Sequence, residues 1–186
     1  MEKIEDVNDA HLRRNSFGDC VVFQLGEKIP KTEECPFCEG NEYLTPPEIA
    51  AVRDCDFPPN KPGWNIRVVP NQNPIFGVLP LERRGHGGIL YDVVSAAGCN
   101  EIVVESPRHE DSWLSMTTGK LLEVLFVCKA RIRDLKQDKK IRALTIYKNF
   151  KRPIDKIDHS FLTIVGEPGT PRTLKSRLKG AKKYYE

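Results

Sequence analysis

The sequence predicts an α+β fold with a mainly antiparallel sheet, one long helix packed on it, and a basic helix at the C-terminal end. Three observations indicate this. The predicted elements run as strands, one long helix and then more strands, an order typical of antiparallel sheets that carry helices. The 186 residues, 39% hydrophobic and 30% charged, suit a single globular domain over residues 1–186. The final residues are rich in lysine and arginine.

The N-terminal half is predicted to contain two strands separated by turn-rich segments. Residues 19–24 are rich in Val and Phe, and residues 65–69 alternate apolar and polar side chains, so both predict strands. Between them, residues 46–52 begin with two prolines and predict a short helical turn. Residues 70–88 are rich in Pro, Gly and Arg and predict a long loop, of a length that is often functional.

The C-terminal half is predicted to hold the long helix, with strands at residues 100–105, 143–147 and 161–165. Ser115 or Thr117 is the expected helix cap. The apolar side chains of the helix recur at steps of three and four residues, which predicts one buried stripe: Leu121, Leu125, Cys128, Ile132 and Leu135. A basic helix from about Thr173 is predicted within a tail of residues 168–186.

Charge and hydropathy narrow the class of protein. The formal net charge of +3 is too small to indicate nucleic-acid binding by itself. The basic terminal helix is a candidate phosphate-binding face, although a run of charges is more often a solvated face. No segment is long and apolar enough to span a membrane, and the acidic N-terminal residues do not resemble a secretory signal. We therefore expect a cytoplasmic protein without membrane contact.

Six cysteines in a reducing compartment are expected as free thiols or metal ligands rather than as disulfides. Cys20 lies beside a strand pattern and Cys128 within a helical one, so both are expected to be small buried hydrophobes. Cys55 and Cys99 lie in loop-like sequence, and their role stays unassigned.

A candidate metal site begins with Cys35-Pro-Phe-Cys38, since two thiolates at this spacing can hold one side of a tetrahedral metal. The alternative is a redox pair, but the acidic segment that follows does not look like the helix of a thioredoxin-like site. Further ligands must come from elsewhere. His109 follows one predicted strand and His159 precedes another, so two sheet ends can bring both imidazoles together, although a single histidine in such a place is more often a surface residue. The other two histidines are His11 and His86.

Segments along nearly the whole chain resemble the galactose-1-phosphate uridylyltransferases of the histidine-triad superfamily. The matching segments are residues 35–42 (Cys-Pro-Phe-Cys-Glu-Gly-Asn-Glu), 45–49, 67–71 (Arg-Val-Val-Pro-Asn), 91–92, 98–109 (ending in Ser-Pro-Arg-His), 131–136, 147–149 and 178–185. Matches in this order are far more specific than any single motif. The resemblance covers the first of two histidine-triad-like halves of that family, and the chain ends where the second half is expected to begin.

The resemblance implies a ligand set for the metal. In zinc-containing members of the family, zinc is held by the Cys-x-x-Cys pair, by the histidine of the Ser-Pro-x-His segment, and by the first histidine of a His-Pro-His-x-Gln motif. These positions correspond to Cys35, Cys38, His109 and His159. A closed set of four ligands leaves no position for water, so the implied cofactor is structural zinc.

The resemblance also implies that the family's chemistry is lost. Its nucleophile is the second histidine of His-Pro-His-x-Gln, which carries the nucleotidyl group as a covalent intermediate. Here the sequence is His159-Ser-Phe-Leu-Thr, so Phe161 takes the nucleophile position and Thr163 takes the glutamine position. The preceding residues 150–158 are bulky and charged, without the family's glycines and serine. A register slipped by two residues would instead place His159 on the nucleophile and would abandon a zinc ligand.

Part of a nucleotide site is expected to survive. Asn71 and Asn149 match asparagines that contact the nucleotide in the family, although both also suit turns. Six basic residues could form a positive surface for phosphates, or they could be solvated charges: Arg67, Arg83, Arg84, Lys148, Lys151 and Arg152.

The sequence therefore predicts a zinc-stabilised, non-catalytic relative of the uridylyltransferases. We expect it to act as a binding or assembly subunit, in a homodimer or a larger complex, with nucleotide or nucleotide-sugar binding retained. The first alternative is an active nucleotidyltransferase on sugar phosphates with His86 as an unusual nucleophile. The second alternative is a nucleic-acid-binding module that uses the basic C-terminal helix.

Overall fold

The protein is described by a computed structural model over residues 11–15, 20–23, 34–78, 83–88, 91–148 and 159–185. In these ranges the strands are β1 (His11–Asn15), β2 (Cys20–Phe23), β3 (Ala50–Arg53), β4 (Trp64–Pro70), β5 (Arg83–Gly88), β6 (Tyr91–Ser95), β7 (Cys99–Val104), β8 (Ala143–Lys148) and β9 (Phe161–Glu167). The helices are α1 (Thr118–Leu135) and α2 (Arg172–Tyr185), and a single 3-10 turn spans Glu42–Leu44.

Two antiparallel sheets organise the described part of the chain. One has four strands in the order β2-β1-β6-β5, and the other has five in the order β3-β4-β7-β9-β8. In the five-stranded sheet β7 and β9 are central, and every one of their residues except Glu167 is buried. The predicted α+β class with a mainly antiparallel sheet is therefore confirmed.

The five-stranded sheet has a buried cluster on each face. On the face toward α1, Val124 and Cys128 of the helix pack against Ile66, Val68, Val103, Leu162 and Ile164. The opposite cluster contains Phe37, Trp64, Val69, Ile102, Val104 and Phe161. Because side chains alternate along a strand, Phe161 and Leu162 point to different clusters. The second cluster is the one that carries the candidate site.

Most of the predicted elements are present near their predicted bounds. Helix α1 begins after Thr117, whose hydroxyl oxygen accepts a hydrogen bond from the Lys120 amide at 3.2 Å, as a capping residue should. The basic helix is also confirmed as α2. Neither helix in the described ranges has the length and apolarity that a membrane crossing requires.

Three local predictions are wrong. The helical turn at residues 46–52 is absent, because Ala50–Arg53 pairs with β4 as a strand, and the only helical turn nearby lies earlier, at Glu42–Leu44. The loop at residues 70–88 ends in strand β5, which pairs with β6. Leu125 lies outside the buried stripe of α1 and is 54% exposed, since the stripe is centred on Val124 and Cys128.

Gly98 is expected to be indispensable for the start of β7. A Cβ atom at this position would lie 2.1 Å from the backbone oxygen of Gly166, far inside van der Waals contact. Because neighbouring backbone would have to move, Gly98→Ala should lower the free energy of unfolding by about 2 kcal/mol or more. Urea unfolding measures this. The matched control is Gly119→Ala in the first turn of α1, where the nearest atom is 3.9 Å away, and it should stabilise by up to about 1 kcal/mol. Equal, small effects of the two substitutions would contradict the tight packing.

Candidate metal centre

The two candidate cysteine ligands lie in a tight loop before the 3-10 turn. The Cys38 amide donates to the Cys35 carbonyl at 3.4 Å, and the Asn41 amide donates to the Cys38 carbonyl at 3.2 Å. The Asn41 side chain also donates to the Cys35 carbonyl at 2.9 Å. Gly40 adopts a left-handed backbone with φ 95, a conformation that glycine adopts without steric cost. Successive turns therefore fold the loop so that both thiols face the same side.

The two histidines lie just beyond the ends of the central strands β7 and β9. His109 follows β7 through the segment at residues 105–108, and His159 lies two residues before β9 begins. Val104 pairs with Phe161, so these two strand ends are neighbours in the sheet. The Glu39 amide donates to the Pro107 carbonyl at 3.1 Å and holds the cysteine loop against the segment before His109. The structure therefore brings together the four residues that the sequence analysis selected.

The distances within this cluster fit one tetrahedral zinc ion. Cys38 Sγ is 3.4 Å from His109 Nδ1 and 3.8 Å from His159 Nδ1, and Cys35 Sγ is 3.6 Å from His159 Nδ1. All four candidate ligand atoms lie within 4.8 Å of one another. A sulfur and a nitrogen bound to the same tetrahedral zinc lie about 3.6 Å apart, given Zn–S and Zn–N distances of about 2.3 and 2.0–2.1 Å. The donor set and its spacing therefore suit a Cys₂His₂ site that could hold one metal ion.

The tautomer of His159 also suits a metal ligand. Its Nε2 atom lies 2.8 Å from the Ser106 carbonyl oxygen, which can only accept, so the ring proton belongs on Nε2. The lone pair of Nδ1 then points toward the two sulfurs. Burial lowers the pKa of His159, which keeps the ring neutral, and the hydrogen bond to Ser106 only partly opposes this effect.

Burial, the hydrogen bond to Cys35 and the charge of that residue together raise the pKa of the Cys38 thiol to about 11. In the absence of a cation, this thiol therefore holds its proton at neutral pH. A coordinated divalent cation reverses that preference, because it deprotonates the thiol that binds it. The raised pKa therefore argues against a reactive thiolate at Cys38.

A buried glutamate anchors the cysteine loop to the sheet. Glu42 is 6% exposed, and its Oε1 accepts hydrogen bonds from the Trp64 indole at 2.7 Å and from the Gly40 amide at 3.1 Å. Burial by itself would raise the pKa of Glu42, but these hydrogen bonds and the charge of Arg67 outweigh it and lower the pKa. The ionised carboxylate is therefore the form that stabilises the loop.

A pH dependence follows from the lowered pKa of Glu42. Its stabilising contribution is fully present above the unfolded-state pKa of about 4.3 and is lost as the pH falls toward the lower folded-state pKa. Wild-type protein should therefore exceed Glu42→Gln in free energy of unfolding by about 1–2 kcal/mol at pH 6, and the gap should narrow below pH 4.5. Urea unfolding of both proteins across this range tests it. If the difference in free energy of unfolding between the two proteins grows as the pH falls, Glu42 does not act as an ionised carboxylate.

A second buried carboxylate, which the sequence analysis did not identify, connects the two strand ends beside the histidines. Glu105 is fully buried and accepts hydrogen bonds from Trp113 Nε1 at 2.6 Å, from Ser160 Oγ at 2.5 Å and from the ammonium of Lys148. Lys148 Nζ also donates to Ser160 Oγ at 2.7 Å and to the Phe161 carbonyl at 3.2 Å. The network therefore ties together β7, β8 and β9 next to the candidate ligands.

Comparisons of sequence and of structure with known proteins find the same group of relatives. An ADP-glucose phosphorylase of Arabidopsis thaliana is 29% identical over 160 residues, which are 84% of this chain and 44% of the relative. The solved structure of an Arabidopsis thaliana ADP-glucose phosphorylase with bound ADP-glucose matches at 25% identity and a TM-score of 0.69, over 94% of this chain and 54% of that one. A uridylyltransferase mutant shares the fold, with 24% identity and a TM-score of 0.71, over 94% of this chain and 50% of that one. No known family profile matches the sequence.

The chain is a relative of the galactose-1-phosphate uridylyltransferases. The resemblance read from the sequence is thereby confirmed, and so is the histidine-triad-like domain it implied. The chain spans about half the length of the relatives it matches.

The two positions that the resemblance assigns to the family's nucleophile and glutamine, Phe161 and Thr163, lie on β9. Phe161 is 8% exposed, and its ring contacts Phe37 of the cysteine loop edge-on at 5.2 Å between centroids. Thr163 is 2% exposed and pairs with Ile102 across the sheet. Both are therefore buried in the packed face of the sheet beside the candidate metal centre.

The predicted nucleotide residues are only partly described. Asn71 follows β4, and its side-chain oxygen accepts from the Asn73 amide at 3.0 Å, which is the turn geometry that the alternative interpretation expected. Asn149 and residues 150–158 lie outside the described residues. For His86 the structure describes only its backbone, which belongs to β5 in the other sheet, opposite Asp92.

Two residues of the predicted positive surface form ion pairs with buried carboxylates instead. Arg67 is 1% exposed, and its guanidinium pairs with Glu48 at 3.1 Å and donates to Thr45 Oγ1 at 2.8 Å. Lys148 is held by Glu105. The prediction that these two side chains offer a surface for phosphates is wrong, because each neutralises a buried carboxylate.

Proposed function

We propose that this chain binds one structural zinc ion and serves as a non-catalytic binding or assembly subunit related to the uridylyltransferases. The single observation that carries the proposal is the pairing of a complete Cys₂His₂ cluster with a phenylalanine at the nucleophile position next to it. The fold-stabilising part of the family site is present, and the residue that performs the chemistry is not.

Zinc fits the cluster better than magnesium or calcium. Two thiolates and two imidazoles favour zinc over magnesium or calcium, which prefer oxygen ligands. Cys35, Cys38, His109 and His159 would hold it, and the ion would supply only stability, because four protein ligands fill its tetrahedral coordination. The Ser106 carbonyl accepts a hydrogen bond from His159 Nε2 and so orients the ring of this ligand.

The chemistry of the family requires a nucleophile that this site does not provide. A phenyl ring has no lone pair with which to attack phosphorus, and Thr163 is shorter than the glutamine that the resemblance places there. The position of His159 within the cysteine cluster supports the register in which Phe161, rather than His159, takes the nucleophile position. The buried contact between Phe161 and Phe37 further indicates that this position now serves packing.

Binding of a nucleotide sugar is the retained activity that we propose for this subunit. Asn71 lies at the end of β4, on the sheet that also carries Phe161 and Thr163, and Asn149 is assigned by the resemblance. A relative that matches 84% of the chain is an ADP-glucose phosphorylase, so ADP-glucose is the first ligand to test and UDP-glucose the second.

Association with a second copy or another protein is the second part of the proposal. Helix α1 exposes three large apolar side chains, Leu122, Leu125 and Phe126, at 50%, 54% and 65%. Leu122 lies three positions before Leu125 and four before Phe126, so the three side chains form one outward patch. We expect a homodimer or a larger complex in the cytoplasm, and a monomer in light scattering at micromolar concentration would contradict it.

Calorimetric titration and intact-mass measurement on the zinc-loaded protein test this function together. We expect ADP-glucose to bind in the micromolar range, with no nucleotidyl adduct on the protein and no glucose 1-phosphate released when phosphate is added. A covalent adduct or turnover would overturn the non-catalytic proposal and favour an active nucleotidyltransferase. His86→Ala would then show whether that histidine is its nucleophile. Absence of heat with both nucleotide sugars would overturn retained binding.

A further inference from the structure

Helix α2 is exposed on all sides over residues 174–185. Its large apolar side chains share this exposure, with Leu178 at 57% and Tyr185 at 92%. A Cβ atom added at Gly180, in the interior of the helix, would meet no described atom within 4 Å outside the helix's own backbone. A helix of 14 residues is only marginally stable in water by itself, and an interior glycine weakens it further. A surface that binds α2 would therefore stabilise it.

The apolar side chains of α2 nevertheless lie in one stripe. They recur at steps of four, three and four residues, which places them on the same side of the helix: Leu174, Leu178, Ala181 and Tyr185. Tyr184, which is 91% exposed, adds a second aromatic ring at the C-terminal end. A helix whose only neighbour is water gains nothing from such a stripe, so this pattern indicates a partner with an apolar layer.

The positive charge of the chain is concentrated in the same helix. Six of the 29 basic residues and none of the 26 acidic residues lie in α2, so the rest of the chain has a net charge of −3. Five of the six lie in the exposed part of the helix: Lys175, Arg177, Lys179, Lys182 and Lys183. Because they border the apolar stripe and cover the opposite side, the helix is complementary to a surface that is densely anionic.

We propose that α2 binds the surface of a bilayer that contains anionic phospholipids. The apolar stripe would enter the boundary between head groups and acyl chains, while the long basic side chains extend to the phosphates. A nucleic acid also offers phosphates, but it has no continuous apolar layer for the stripe. The expectation of no membrane contact rested on the lack of a spanning segment and of a secretory signal, and a helix that lies on the surface needs neither.

Sedimentation of the zinc-loaded full chain with lipid vesicles tests this. Vesicles of equal parts phosphatidylserine and phosphatidylcholine should bind it at least tenfold more tightly than vesicles of phosphatidylcholine alone. Leu178→Glu should weaken this binding tenfold or more, because it puts a charge into the apolar stripe, and Leu178→Ser is a second variant that adds no charge. The double substitution Lys179→Glu and Lys183→Glu should also weaken it tenfold or more.

The matched control is Leu114→Glu, which adds the same charge at a side chain that is 93% exposed outside both helices. It should leave vesicle binding unchanged, and circular dichroism of each variant checks that the fold is kept. If the two kinds of vesicle bind alike, or if both Leu178 variants bind the phosphatidylserine vesicles as tightly as wild type, membrane binding by α2 is overturned.

A DNA duplex titrated in parallel by fluorescence anisotropy distinguishes the two sources of phosphate. Tighter binding of the duplex than of the phosphatidylserine vesicles, unaffected by Leu178→Glu, would overturn the lipid assignment and favour a nucleic-acid surface. Zinc content and nucleotide-sugar binding are measured separately, so failure of this inference leaves the proposed function untouched.

Discussion

Cys38→Ser should yield a protein that retains no stoichiometric zinc and is unfolded or severely destabilised at 25 °C. Cys38 Sγ lies 3.4 and 3.8 Å from the two histidine nitrogens, so its loss removes a central member of the cluster. The apparent free energy of zinc binding at structural sites is about 10–16 kcal/mol, which matches or exceeds the whole stability of an ordinary domain. Zinc content by plasma mass spectrometry and circular dichroism measure the two effects.

The matched control for this substitution is Cys55→Ser. Cys55 is exposed and lies outside the cluster, so its replacement should keep the full zinc content and change the free energy of unfolding by less than about 0.5 kcal/mol. A strong chelator should unfold the wild-type and Cys55→Ser proteins alike. Zinc retention and normal unfolding in Cys38→Ser would contradict the assignment of this ligand.

Lys148→Met is expected to have the second-largest effect, a loss of about 3 kcal/mol in the free energy of unfolding. It would leave the fully buried Glu105 carboxylate without its cation, and breaking a buried pair on one side typically costs 3–5 kcal/mol. The lower figure applies because the Lys148 side chain is 21% exposed and water can partly replace it. Urea unfolding monitored by tryptophan fluorescence measures the loss.

A double substitution separates the charge from the packing in this network. Glu105→Gln combined with Lys148→Met removes both charges and keeps an acceptor for Trp113, so it should be more stable than Lys148→Met alone. The control is Lys129→Met on the exposed side of α1, with a change below about 0.5 kcal/mol. If the double variant is no more stable than Lys148→Met alone, the uncompensated charge of Glu105 is not the cause of the lost stability.

The four candidate ligands were within reach of sequence reasoning because each has a strong local signal. Cys35 and Cys38 have metal-ligand spacing, and His109 and His159 flank segments that clearly predict strands. What spacing could not supply was which strand ends meet, since this depends on the pairing of β7 with β9 across more than fifty residues. The resemblance to the uridylyltransferases supplied that contact, and the structure agrees with it.

The errors of the sequence analysis arose where tertiary contacts override local patterns. The prolines before Ala50 suit the start of a helix, yet pairing with β4 makes this segment a strand. Arg67 alternates with apolar residues as a solvent-facing charge would, but Glu48 neutralises it inside the protein. Leu125 fits the helical period and is nevertheless exposed, because the sheet contacts only the stripe around Val124 and Cys128.

Buried polar partners are the features that sequence alone conceals. Glu105 and Lys148 are separated by 43 positions, and nothing in either segment indicates that they meet. Asn100, whose buried side-chain amide has no hydrogen-bond partner among the described residues, was equally hidden, since the sequence shows only a polar residue within a strand pattern. Both depend on burial and register, which only the folded chain defines.

X-ray absorption at the zinc edge of the purified protein tests whether Cys35, Cys38, His109 and His159 bind zinc. We expect one zinc per chain with two sulfur ligands at about 2.3 Å and two nitrogen ligands at about 2.0–2.1 Å. A folded protein without zinc, or zinc surrounded only by nitrogen and oxygen, would contradict it.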